Sequence, residues 1–257
     1  MEINGEKGME DGEWRMENGE GVVADNLGEL IEEDLRLHHP QNIISVGGTN
    51  TGKTYNLLRM LKNPEYVISN LPENYKIYYV HGPYQDKFDE FPNISFFSGW
   101  DHEALSPSVL KNTKDLILVL DDCYHEIDPH FLRYLWTALM HHNGWTIFLL
   151  LHHLYSQSVK FLRELTLNTS TFIFSYSPVS KSMVKTFAYQ YFGDDSKRFL
   201  EVFDNVLKDK KYSYLVCDFS PHCLDRFRLR TAITAEESPM QIFVPKLKAS
   251  AVQHKRK

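Results

Sequence analysis

The segment Gly47, Gly48, Thr49, Asn50, Thr51, Gly52, Lys53, Thr54 satisfies the spacing G-x-x-x-x-G-K-[ST], and each residue type in it has a physical task. Glycines let the main chain curl until its N–H groups converge on phosphate oxygens, and a helix starting there adds a favourable dipole. Lys53 can reach the β and γ phosphates of ATP, and the Thr54 hydroxyl is placed to ligate Mg²⁺. The alternative is a glycine-rich turn before a helix. The flanks argue against it, because an apolar strand precedes the loop and a helical pattern follows.

A second chemical element lies downstream. Leu116 to Leu120 are five apolar residues, which predict a strand buried on both faces, and Asp121 and Asp122 emerge together at its C-terminal end. Ligands bind at that end of the strands in open α/β sheets. Asp121 is expected to hold Mg²⁺ through water, and Asp122 to orient or deprotonate the attacking water. Paired acids after a strand also cap helices, a reading weakened by the glycine loop upstream. A further buried run, Thr146 to Leu151, ends in His152 and His153.

Positioning these groups requires a regular scaffold, and the periodicity supplies one. Strands are expected at Asn42–Val46, Lys76–Val80, Ile94–Phe97, Asp115–Leu120, Trp145–Leu151, Thr171–Tyr176, Tyr212–Cys217 and Arg226–Ile233. Helices are expected at Lys53–Leu61, Pro129–His142, Ser158–Leu167, Lys181–Phe192 and Ser196–Lys208. Strands alternating with helices predict an α/β fold with a mainly parallel sheet covered on both faces, followed by a C-terminal β extension. The domain is expected over residues 37–244. Residues 1–36 form an acidic leader in which Met1 to about Gly28 lacks periodicity and reads as disordered, while Asn26–Leu37 admits a short acidic helix. Residues 245–257 read as a basic tail, whose Lys255, Arg256 and Lys257 suit DNA or an import carrier.

Charge is divided unevenly. Residues 1–36 carry 12 acidic and 3 basic side chains, leaving 22 acidic and 25 basic in the remainder, so a mildly basic body follows an acidic leader. That balance permits nucleic-acid contact without demanding it. The three cysteines, Cys123, Cys217 and Cys223, fit a reducing compartment better than a disulfide framework. Cys217, His222 and Cys223 match no common zinc spacing, and the His pairs 38/39, 141/142 and 152/153 have no supporting cysteine. No apolar run approaches the ~20 residues needed to cross a bilayer. A soluble, intracellular protein is expected.

Four stretches are more particular: LILVLDDCYHE, LWTALMHHN, TIFLLLHHLYSQSVKFLRELTLNTSTFIFS and YSYLVCDFSPHCLDRFRLRTAI. With the loop they resemble the viral genome-packaging ATPases of the FtsK-HerA superfamily, as found in poxviruses and Polinton or Maverick elements. The resemblance spans roughly residues 41–233. It implies a P-loop NTPase of the type with an extra central strand (ASCE), strand order 5-1-4-3-2. It implies also an oligomeric ring of identical subunits that couples ATP hydrolysis to pulling double-stranded DNA into a capsid. Viral capsid proteins are then partners, and the host cytoplasm or nucleus, or the virion, is the setting. In that family the strand beside the acid strand carries a polar residue that senses the γ phosphate, and His152 occupies its place, where Gln-Asn is commoner than His152-His153. Many such motors have Glu as the second acid. The shorter Asp122 therefore leaves Glu126 as an alternative base.

Arg163, just beyond the sensor strand, is the candidate for an arginine supplied to a neighbour's site. Arg226, Arg228 and Arg230 alternate along an expected strand and would share one face, toward DNA, a neighbouring subunit or solvent. Other readings stay open: another DNA-pumping translocase or helicase, a nucleoside or polynucleotide kinase, or a module that uses ATP only to assemble. A signalling GTPase lacks support, since neither Asp-x-x-Gly after the acid strand nor Asn-Lys-x-Asp is present.

Overall fold

The computed structural model describes residues 20–24, 30–82, 86–155, 160–176, 180–207, 211–237 and 239–244. The basic tail 245–257, and the leader apart from 20–24 and 30–36, lie outside them. In chain order the strands and helices are β1 (Glu20–Ala24), β2 (Leu30–Asp34), β3 (Leu37–His38), β4 (Asn42–Val46), α1 (Lys53–Lys62), α2 (Pro64–Val67), β5 (Ile68–Ser69), β6 (Lys76–His81), β7 (Ser95–Ser98) and α3 (Pro107–Asn112). They continue with β8 (Leu116–Asp121), α4 (Pro129–Tyr134), α5 (Met140–Asn143), β9 (Trp145–Leu151), α6 (Lys160–Leu167), β10 (Thr171–Ser175), α7 (Lys181–Phe192), α8 (Ser196–Leu207), β11 (Tyr214–Asp218), β12 (Leu229–Thr231) and β13 (Gln241–Ile242).

One nine-stranded sheet, in the order β13-β12-β11-β10-β4-β9-β8-β6-β7, organises the molecule. From β10 to β7 every pairing is parallel, and β11, β12 and β13 extend the sheet antiparallel. Numbering β4, β6, β8, β9 and β10 as core strands 1 to 5 gives 5-1-4-3-2, so β9 is inserted between the glycine-loop strand and the acid strand. This is the α/β P-loop architecture with its extra central strand and a C-terminal β extension.

The core strands are continuous apolar runs because both of their faces are covered. Ile44, Leu118, Leu149 and Phe172 turn toward the layer built with Trp136, Phe187 and Phe199, while Ile43, Val119, Phe148 and Ile173 turn toward the layer built with Leu57, Leu58 and Leu61 of α1. Burying one such side chain contributes about 1.5–3 kcal/mol.

Three expectations change. Where Asn26–Leu37 admits a helix, residues 30–34 and 37–38 are strands. Leu35 and Leu37, two residues apart, are both buried, which is a strand's period and not a helix's. The helix expected without interruption over Pro129–His142 widens to a π turn at Leu135–Leu139. There the Met140 N–H donates to the Leu135 carbonyl, and the Trp136 carbonyl it bypasses accepts instead from Asn42 Nδ2 at 2.8 Å.

Finally, Arg226–Ile233 is not one strand. A 3₁₀ turn at Asp225–Phe227 precedes the short β12, and Arg226, Arg228 and Arg230 do not share a face. Arg230 is buried against Asp218, its ion pair replacing exposure, while Arg228 pairs with Asp225 at 2.6 Å and Arg226 lies over the Phe227 ring.

Candidate active site

The loop rises from the end of β4, where the Gly47 N–H donates to the Leu151 carbonyl of β9 at 3.1 Å. Its glycines are dictated by close approach. A Cβ at Gly47 would lie 2.6 Å from Thr51 Oγ1, and one at Gly52, whose φ is +95°, would lie 2.8 Å from Cβ and Cδ1 of Tyr212. Asn50 also takes a left-handed φ of 61°. The Thr51 hydroxyl donates to the Gly48 carbonyl at 2.9 Å, and the Asn56 N–H donates to the Gly52 carbonyl at 2.8 Å to open α1.

Lys53 leads α1 into this curl. Its ammonium donates to the carbonyls of Gly47 (2.7 Å) and Gly48 (3.0 Å) and lies 3.5 Å from His152 Nδ1. Burial lowers its pKa, with Asp122 and Asp121 pulling it partly back. A desolvated cation at the start of a helix fits an anion of high charge, and a triphosphate is such an anion.

The acids meet the loop from two strands away. Asp121 Oδ2 accepts from the Thr54 hydroxyl at 2.8 Å and from the Tyr79 hydroxyl at 2.7 Å. Burial raises the Asp121 carboxyl; the two hydroxyls and Lys53 oppose this, and Asp122 adds to it. Tyr79, wholly buried, has its phenol pushed well above the usual value, by burial first and then by Asp121. A carboxylate and a hydroxyl side by side, with the carboxylate in want of positive charge, are donors suited to Mg²⁺, and Thr54 and Asp121 are the residues that could hold it.

Asp122 leaves β8 with a φ of 56°, which departs from the strand's path. Its carboxylate lies 3.1 Å from Nε2 of His152. The inserted strand β9 ends beside the loop, so His152 stands between Asp122 on one ring nitrogen and Lys53 on the other. The tautomer with its proton on Nε2 satisfies both contacts.

Residues 49–54 of the loop, Asp121, Asp122 and His152 thus line one cavity of about 260 Å³, and Gly47 and Gly48 lie behind Lys53, whose ammonium their carbonyls accept from. Glu126 is not among its lining residues; its Oε2 accepts the Trp100 N–H at 2.7 Å. Arg163 is exposed on α6, away from the cavity lining. Among the described residues no group of three His, Cys, Asp or Glu side chains could hold a metal by themselves, and no helix is long and apolar enough to cross a membrane.

Two tyrosines escape the sequence reading. Tyr79 reaches Asp121 only through the β6–β8 register, which pairs His81 with Asp121. Tyr212 sits in the turn before β11, and no local pattern marks it as a neighbour of Gly52.

No protein-family model matches the chain, and no curated protein does. Among solved structures, it is similar to the genome packaging NTPase B204 from Sulfolobus turreted icosahedral virus 2 in complex with AMP. That match has 13% identity and a TM-score of 0.45, covering 71% of this chain and 94% of that one. The same protein in complex with AMPPCP gives 12% identity and a TM-score of 0.45, covering 80% and 98%. B204, the DNA-packaging ATPase from Sulfolobus turreted icosahedral virus, gives 12% and 0.43, covering 80% and 98%. Each of these three solved structures is of a viral genome-packaging NTPase or ATPase.

Proposed function

We propose that the chain is an ATP-hydrolysing DNA translocase that packages a viral double-stranded DNA genome into a capsid, working as a ring of identical subunits in the infected cell. The observation that carries the ATPase half is the 2.8 Å contact between the Thr54 hydroxyl and the Asp121 carboxylate, beside the buried Lys53 ammonium. Residues from the loop and from a strand two places away come together there, which supports a site for a triphosphate and its metal. The motif resemblance supports the packaging half.

In this reading the loop amides and Lys53 bind the β and γ phosphates of ATP. Thr54 and, through water, Asp121 would hold Mg²⁺, which would offset charge on the phosphate oxygens. Asp122 orients the attacking water or takes its proton, with His152 steadying the carboxylate and facing the γ phosphate. The exposed Arg163 serves a neighbour's site and not its own, and capsid proteins receive the ring.

Phosphate release measured with and without double-stranded DNA tests this. DNA is expected to stimulate release several-fold, and release unaffected by DNA would remove the translocase. Phosphate transferred to added nucleosides or polynucleotide ends would make the protein a kinase.

A further inference from the structure

The cavity lined by the loop is lined also by two tyrosines, Tyr55 and Tyr212. Tyr212 has a φ of 65°, a left-handed conformation that bulky residues avoid and that persists where surroundings enforce it. The enforcement is visible: the Asn56 side-chain amide donates to the Tyr212 carbonyl at 2.8 Å and ties the turn to α1. The consequence is a ring laid against Gly52, so close that any side chain at 52 would strike it.

Tyr55 follows Thr54 on the first turn of α1 and is 44% exposed. Its ring centroid lies 5.1 Å from that of Tyr212, the planes tilted by 41°. Lys211 Nζ stands 4.8 Å from the Tyr212 centroid. A tyrosine recruited only to fill space would be sealed inside the core. Tyr212 and Tyr55 instead line the same cavity as Lys53 and Thr54.

We propose that Tyr212 and Tyr55 form an aromatic corner that binds the base of the nucleotide, so that the site takes a nucleoside triphosphate by its base as well as by its phosphates. This rests on the reading of the loop as a triphosphate site. One ring supplies a stacking face, the other an edge, and Lys211 adds a cation beside the π surface. Stacking of this kind tolerates any aromatic base, so the corner selects for the presence of a base and only weakly between adenine and guanine.

Equilibrium binding of ATP and of inorganic tripolyphosphate, each with Mg²⁺, separates the two halves of the site. The unaltered protein is expected to bind ATP more tightly than tripolyphosphate. Tyr212→Ala should weaken ATP about tenfold and leave tripolyphosphate unchanged, and Tyr212→Phe should restore ATP affinity. Tyr55→Ala, at an exposed position, should weaken ATP several-fold, and it decides the matter if Tyr212→Ala also loses tripolyphosphate through a disturbed loop. ATP affinity unchanged in Tyr55→Ala and Tyr212→Ala, or equal affinity of the unaltered protein for both ligands, overturns the corner and leaves the phosphate site standing. If the unaltered protein binds neither ligand, the triphosphate reading falls and the corner with it.

Discussion

Burial raises the Asp121 carboxyl above its ordinary 3.8, and the two hydroxyls that point at it do not fully offset the lost water. An acid with a raised pKa in the folded state penalises that state whenever it is ionised. The penalty is absent below the unfolded value near 3.8, develops as pH rises through it, and is complete above the folded value. Asn at this position cannot ionise and keeps an oxygen to accept from Thr54 and Tyr79. Asp121→Asn is therefore expected to melt higher than the unaltered protein at pH 7, with a margin that narrows as pH falls toward 4. A variant that melts lower at pH 7, or a margin independent of pH, would refute this account of the carboxylate. Stability set aside for a bound cation is a common feature of functional sites.

At the scale of elements, Glu126 ties the turn after β8 to the turn after β7. Gly99 there has a φ of 73°, and the next N–H, that of Trp100, is held by the Glu126 carboxylate. Glu126→Ala should lower stability by about 1 kcal/mol in urea unfolding while hydrolysis persists. Unchanged stability with hydrolysis lost would make Glu126, and not Asp122, the base.

The elements that the sequence makes plain are those whose burial is uniform. Trp145–Leu151 and Lys181–Phe192 are found residue for residue, because apolar continuity in one and helical period in the other leave no rival. Residues 30–38 and 226–233 mislead because tertiary partners decide them: pairing with β1 and β5 in the first, the buried Asp218 in the second. The loop and the acids are legible since each is contiguous in the chain. Tyr79 and Tyr212 are not, since a sheet register and a strained turn bring them to the site.

For the whole molecule, the inserted strand β9 is what would join chemistry to assembly in the proposed ring. It brings His152 between Lys53 and Asp122 and leads onward to α6, where Arg163 is exposed. All of this depends on a triphosphate resting in the loop with Lys53 on its outer phosphates. Single-turnover hydrolysis of ATP in Mg²⁺ by Lys53→Ala beside the unaltered protein tests that dependence most directly. A fall of about 100-fold or more is expected, and undiminished turnover would contradict the account.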